Sequence, residues 1–79
     1  MAFNNVARKV AAQEKLAAEW NARHPVGTRV YFWPWSRKDV ADISRTRSEA
    51  YLLGGHTASV QVEGFRGAIA LSHVEAVKE

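Results

Sequence analysis

The residue types that could do chemistry in this chain are few and poorly placed for it. A metal centre needs three or four ligands converging, usually with close spacing on at least one element. The three histidines, His24, His56 and His73, are instead spread one to a turn across the sequence. Asp39 and Asp42 share a loop but lack the glycine and glutamate of a calcium-binding loop. An activated nucleophile needs a base and an orienting group. Ser48, Ser59 and Ser72 sit in none of the motifs that supply them. Gly54-Gly55 and the Gly64/Gly67 pair are followed by no helix, so neither reads as a phosphate loop. The sequence therefore predicts a non-enzymatic protein without metal or cofactor.

The distinctive feature is aromatic. Tyr31-Phe32-Trp33-Pro34-Trp35 holds four of the eight aromatic side chains of a 79-residue chain. Along an extended backbone successive side chains face opposite ways. Phe32 is thus expected inward, and Tyr31, Trp33 and Trp35 outward as a ridge between Arg29 and Arg37-Lys38. Aromatics beside arginines can fill a partner's pocket, grip a proline-rich peptide or stack an unpaired base. Tyr31, Trp33, Trp35, Arg37 and Arg47 are the candidate binding residues. Alternatively, the N-terminal helix lies across the ridge and buries one or two of these rings in a second small core. In Arg45-Thr46-Arg47 both arginines share one strand face. That face either contacts phosphate or pairs across the sheet with Gln61 or Glu63.

The elements that must position these residues follow from periodicity. Phe3, Val6, Val10, Leu16, Ala17 and Trp20 recur at helical spacing over residues 3–23. Asn4 or Asn5 is suited to cap the start, Lys15 and Glu19 can pair across one turn, and His24-Pro25 stops the helix. After Gly27 the pattern alternates. Strands are expected over residues 28–35, 43–53, 57–63, 68–71 and 74–77. Val30, Phe32, Ala58, Val60 and Val62 point inward, and Ser59 and Gln61 outward. Thr46, Ser48, Ala50 and Leu52 share one face of the second strand. Gly54-Gly55 and residues 64–67 form tight turns, 36–42 a long loop and Ser72-His73 a brief turn. The expected fold is α+β: one domain over residues 1–79, with a helix (1–25) packed on a small five-stranded antiparallel barrel (26–79). The order of long loop, tight turns and short last connection resembles an SH3-like barrel.

A second resemblance runs over residues 20–77. Asn21-Ala22-Arg23-His24-Pro25-Val26-Gly27-Thr28 leads into Trp33-Pro34. It is followed by Thr46-Arg47-Ser48 with Ala50, Leu53-Gly54-Gly55-His56, Val60, Val62-Glu63-Gly64 and Gly67 through Val74. This pattern is similar to small uncharacterised proteins of tailed phages and prophages. The resemblance implies a phage or prophage origin and no particular activity or site residues.

Size and charge narrow the options further. A domain this small buries a modest share of its surface, and with no cysteine it has no disulfide to brace it. No apolar run is long enough to span a bilayer, and charges interrupt the N-terminus where a secretory signal would be apolar. A cytoplasmic protein of a bacterial host cell is expected, with no membrane partner. Residues 1–38 hold seven basic and two acidic side chains, a balance of +5. Residues 39–79 hold four and six, a balance of −2. The excess is small, so a protein partner of host or phage is expected through the aromatic–basic face. The first alternative is nucleic acid, with Arg29, Arg37, Lys38, Arg45 and Arg47 on phosphates and Trp33 or Trp35 stacking a base. The second is a structural subunit that oligomerises through its helix.

Overall fold

The computed structural model describes residues 2–78, with side chains from residue 6 onward. Helix α1 spans Ala2–Arg23 and is followed by six short strands: β1 (Arg29–Phe32), β2 (Asp42–Arg45), β3 (Tyr51–Leu53), β4 (Thr57–Val60), β5 (Ile69–Ala70) and β6 (Val74–Ala76). A single 3-10 turn over Leu71–His73 separates β5 from β6. The strands form two antiparallel three-stranded sheets, β2-β1-β6 and β3-β4-β5. The α+β class holds, but the sheets do not close into a five-stranded barrel.

The difference arises in the expected second strand. Its alternation is present, since Thr46 and Ala50 are buried while Arg45, Arg47 and Glu49 are exposed. The ladder to β1 nevertheless ends at Arg45, and after a single bridge at Thr46 a second ladder begins at Tyr51, on β4. The chain between them turns from one sheet to the other, giving β2 and β3 where one strand was expected.

Thr46 is the joint. It is 1% exposed. Its N–H donates to the Thr28 carbonyl at 2.9 Å, and its own carbonyl accepts from Gly27 N–H at 3.0 Å. Its hydroxyl oxygen also accepts from Gly27 N–H, at 3.1 Å. On the other side it bridges Val62, flanked by Arg47 N–H to the Gln61 carbonyl at 2.8 Å and Glu63 N–H to the Arg45 carbonyl at 2.9 Å.

Both sheets feed the main core. Val30, Phe32 and Val74 come from one, Val60 and Ile69 from the other, and Val62 from the segment after β4. A second buried cluster, Ala17, Ala50 and Ala58, lies under the helix, and Trp20 and Leu71 pack against both clusters. Burying a valine or phenylalanine side chain contributes about 1.5–3 kcal/mol, so six such residues dominate the stability of a chain this size.

Helix α1 docks on β3 and β4. Its stripe is narrower than the hydrophobic spacing predicts: Ala17 and Trp20 lie on it, while Val6 and Leu16 stay exposed. Two amides occupy the stripe instead. Asn21 Nδ2 donates to the Ala50 carbonyl at 3.0 Å, and Asn21 Oδ1 accepts from Ala50 N–H at 2.8 Å. Gln13 Oε1 accepts from Ala58 N–H at 2.8 Å. Alanines on both surfaces let the helix come close enough for these short side chains to reach strand backbone.

Further details depart from expectation. Asn4 and Asn5 lie inside the helix rather than capping it. The Phe3 side chain lies outside the described residues. Lys15 and Glu19 form no ion pair, the one salt bridge among the described residues being Arg37–Glu75. Ser59 is buried, because β4 is the central strand of its sheet and a short side chain there is shielded by its register partners Tyr51 and Ala70. The glycine turn behaves as expected, with Gly54 at φ +63° and Gly55 at φ +80° in the left-handed region.

Two substitutions test this docking. Trp20→Ala should cost about 2–4 kcal/mol, short of a fully buried tryptophan because Trp20 is only partly enclosed. Asn21→Ala removes both bonds to Ala50 and should cost about 1–3 kcal/mol. Urea denaturation followed by circular dichroism reads both. An unchanged midpoint for either variant would mean the helix does not hold the second sheet.

Candidate functional site

The aromatic segment does not form one ridge. Strand β1 ends at Phe32, so the strict alternation stops there. Tyr31 keeps its place on the outer face, 41% exposed, opposite Ile43 of β2 and Glu75 of β6. Trp33 follows it, tied by its own N–H to the His73 carbonyl at 2.9 Å. Pro34 and Trp35 bend away. The Trp35 ring stands edge-on to Phe65 at 6.1 Å, and Phe65 stands edge-on to Phe32 at 6.0 Å. Trp35 thus extends a row of rings leading out of the core, rather than the outer face. It is 79% exposed. The helix makes its main contacts with the other sheet, on β3 and β4.

Trp33 is the best-fixed member of the candidate site. Its indole N–H donates to the Asp39 carbonyl at 3.0 Å, which pins the loop that follows. The Arg37 guanidinium lies 3.9 Å from the centroid of its ring. Arg37 also reaches Glu75 at 3.3 Å. An exposed ion pair of this kind contributes at most about 1 kcal/mol, but here it holds a cation over an aromatic face.

Arg47 is placed differently from Arg37. Instead of pairing with Gln61 or Glu63 side chains, its Nε donates to the Val62 carbonyl at 3.0 Å and its Nη2 to the Phe65 carbonyl at 3.3 Å. It braces the turn over residues 64–67 and so positions Phe65 beneath Trp35. Phe65 was the residue sequence reasoning missed. Its position between two turn glycines reads as a loop, and nothing in its spacing shows that its ring would cover the open end of the core.

Exposed apolar side chains concentrate in this region. Of the eight large ones among the described residues, Tyr31, Trp35, Val40 (93%) and Ile43 (52%) lie in the single strand–loop–strand segment from β1 to β2. They do not form one patch, since Tyr31 and Ile43 share the outer face while Trp35 stands against Phe65. The remaining groups make local contacts. His24 packs on Trp20, with ring centroids 4.3 Å apart. His56 Nδ1 lies 2.7 Å from Thr57 Oγ1, and His73 Nδ1 lies 3.0 Å from Ser72 Oγ. Among the described residues no three His, Asp or Glu side chains converge, and no helix is long and apolar enough to cross a membrane.

Comparison with known proteins adds no relative: no protein-family model matches the chain, nor does any curated protein or solved structure.

The bracing role of Arg47 has a measurable consequence. Arg47→Ala should destabilise the protein by only about 1 kcal/mol, yet shift the backbone amide resonances of residues 64–67 and the indole resonance of Trp35. Two-dimensional NMR of the variant reads this. Shifts confined to residue 47 and its sequence neighbours would show that the turn stands without it.

Proposed function

We propose that this chain is a non-catalytic binding protein that engages a protein partner through the surface around Tyr31, Trp33 and Trp35. The observation that carries this reading is the contrast between the rings and the charges. Trp35 is 79% exposed and Tyr31 41%. Arg37 already lies on Trp33 and pairs with Glu75, and Arg47 already donates to two backbone carbonyls. Of the candidate binding residues, the two arginines are therefore engaged, and the free side chains are aromatic. Exposed aromatics near the centre of a contact are the side chains that dominate protein–protein affinity.

The finer architectural reading is an SH3-like plan. In its support, residues 42–53 give their first half to one sheet and their second half to the other, and a 3-10 turn precedes the last strand. On the resemblance of residues 20–77 alone we also propose a phage or prophage origin, with an accessory role in the cytoplasm of a bacterial host.

Two experiments separate this reading from nucleic-acid binding. In a titration with mixed single-stranded oligonucleotides, weak or no binding is expected even at low salt. Tight binding that falls steeply as salt rises would overturn the proposal, because it is the signature of released counterions. In affinity capture from bacterial lysate, the captured protein should survive nuclease treatment. Trp35→Ala should weaken capture more than Arg37→Ala, by about 2 kcal/mol or more if Trp35 is a central anchor.

A further inference from the structure

We infer that Arg29 and Arg45 together read a carboxylate on that protein partner, and that the segment bound is an extended peptide with an acidic residue two positions from an aromatic or branched apolar one. The inference rests on the protein-partner reading and names its chemistry. In the β1–β2 ladder Arg29 stands directly opposite Arg45, and two residues along the same face Tyr31 stands opposite Ile43. Like charges placed opposite each other in a sheet repel. Among the described residues neither arginine forms a salt bridge, although Glu63 lines the hollow beside them. Arg45 donates to the Gly27 carbonyl at 3.1 Å, and Arg29 makes no side-chain hydrogen bond among the described residues. Both are exposed. Hollows of about 320 and 300 Å³ flank the pair, one reaching Ile43 and Glu63, the other Thr28 and Val77.

The surroundings favour one carboxylate over a phosphate backbone. Glu63 lines the first hollow, and Glu75 stands beside Tyr31. A nucleic-acid strand needs a continuous basic track, and these two carboxylates interrupt it. A single acidic side chain needs only the two guanidinium groups, each offering parallel N–H donors to a carboxylate. Alternate residues of an extended peptide lie about 7 Å apart, the same step that separates the Arg29/Arg45 row from the Tyr31/Ile43 row.

The test is an NMR titration of the whole chain with three probes: a short synthetic peptide centred on Asp-Ser-Phe, its Asn-Ser-Phe twin, and a single-stranded oligothymidine. The Asp peptide should shift the resonances of Arg29, Tyr31, Ile43 and Arg45, and the Asn twin should bind about tenfold more weakly. Arg29→Gln and Arg45→Gln should each weaken the Asp peptide several-fold and leave the Asn twin unchanged. Arg29→Gln gives up no side-chain bond among the described residues, so it tests the idea without disturbing the fold. Equal binding of both peptides on Tyr31 and Ile43 would overturn the carboxylate assignment and leave the protein-partner reading standing. Shifts caused by the oligonucleotide and by neither peptide would overturn both. No shift with any probe would overturn the carboxylate assignment alone.

Discussion

Everything in this fold hangs on a buried threonine. Strands of two to four residues have too few ladder bonds to hold a sheet by themselves, and here two such sheets must also keep a fixed relation to each other. Thr46 supplies that relation. It bonds to Gly27 and Thr28 on one side and pairs with Val62 on the other. A buried polar side chain is tolerable only when its hydrogen bonds are made. Among the described residues no buried side-chain polar atom is left without a partner. With the joint satisfied, Val30, Phe32, Val60, Val62, Ile69 and Val74 can close over one another from two directions.

Much of this was legible in the sequence, for reasons that are local. The helix announces itself by spacing and stops at His24-Pro25. Inward residues such as Val30, Phe32, Ala58, Val60 and Val62 follow from period-two alternation, and Gly54-Gly55 marks its turn. The parts that were not legible depend on distant partners. Alternation continues unbroken from Arg45 to Tyr51, so nothing in it reveals that the backbone changes sheets. Nothing in the spacing of Gln13 or Asn21 singles them out. Their acceptors and donors lie 45 and 29 residues away, on strand backbone that carries no sequence signal.

The candidate site shows the same division. The aromatic cluster was visible as composition, and Tyr31 and Phe32 fell on the faces that alternation assigns. Trp35 did not, because Pro34 ends the extended run and a ring outside a strand follows tertiary contacts instead. Its partner Phe65 is held in place by Arg47, a residue singled out for its charge that turns out to position a turn. Charge type alone does not tell whether an arginine faces a ligand or a backbone carbonyl. Arg29 and Arg45, opposite each other and without a salt bridge among the described residues, differ from Arg37 and Arg47 only in what the fold places beside them.

The long-range bonds of the helix also bear on how the chain comes to be made. Synthesis produces the helix first, but Ala58, which Gln13 must reach, follows 45 residues later. At roughly 5–20 residues per second the interval is about 2–9 s. Over that time Ala17 and Trp20 have no surface to dock on. The sheet β2-β1-β6 waits longer still, since Val77, whose N–H bonds to the Arg29 carbonyl, is made after all of the strands. A nascent chain therefore presents an amphipathic helix ahead of the strands it packs on, a natural client for whatever in the cell shields apolar surface until those strands emerge.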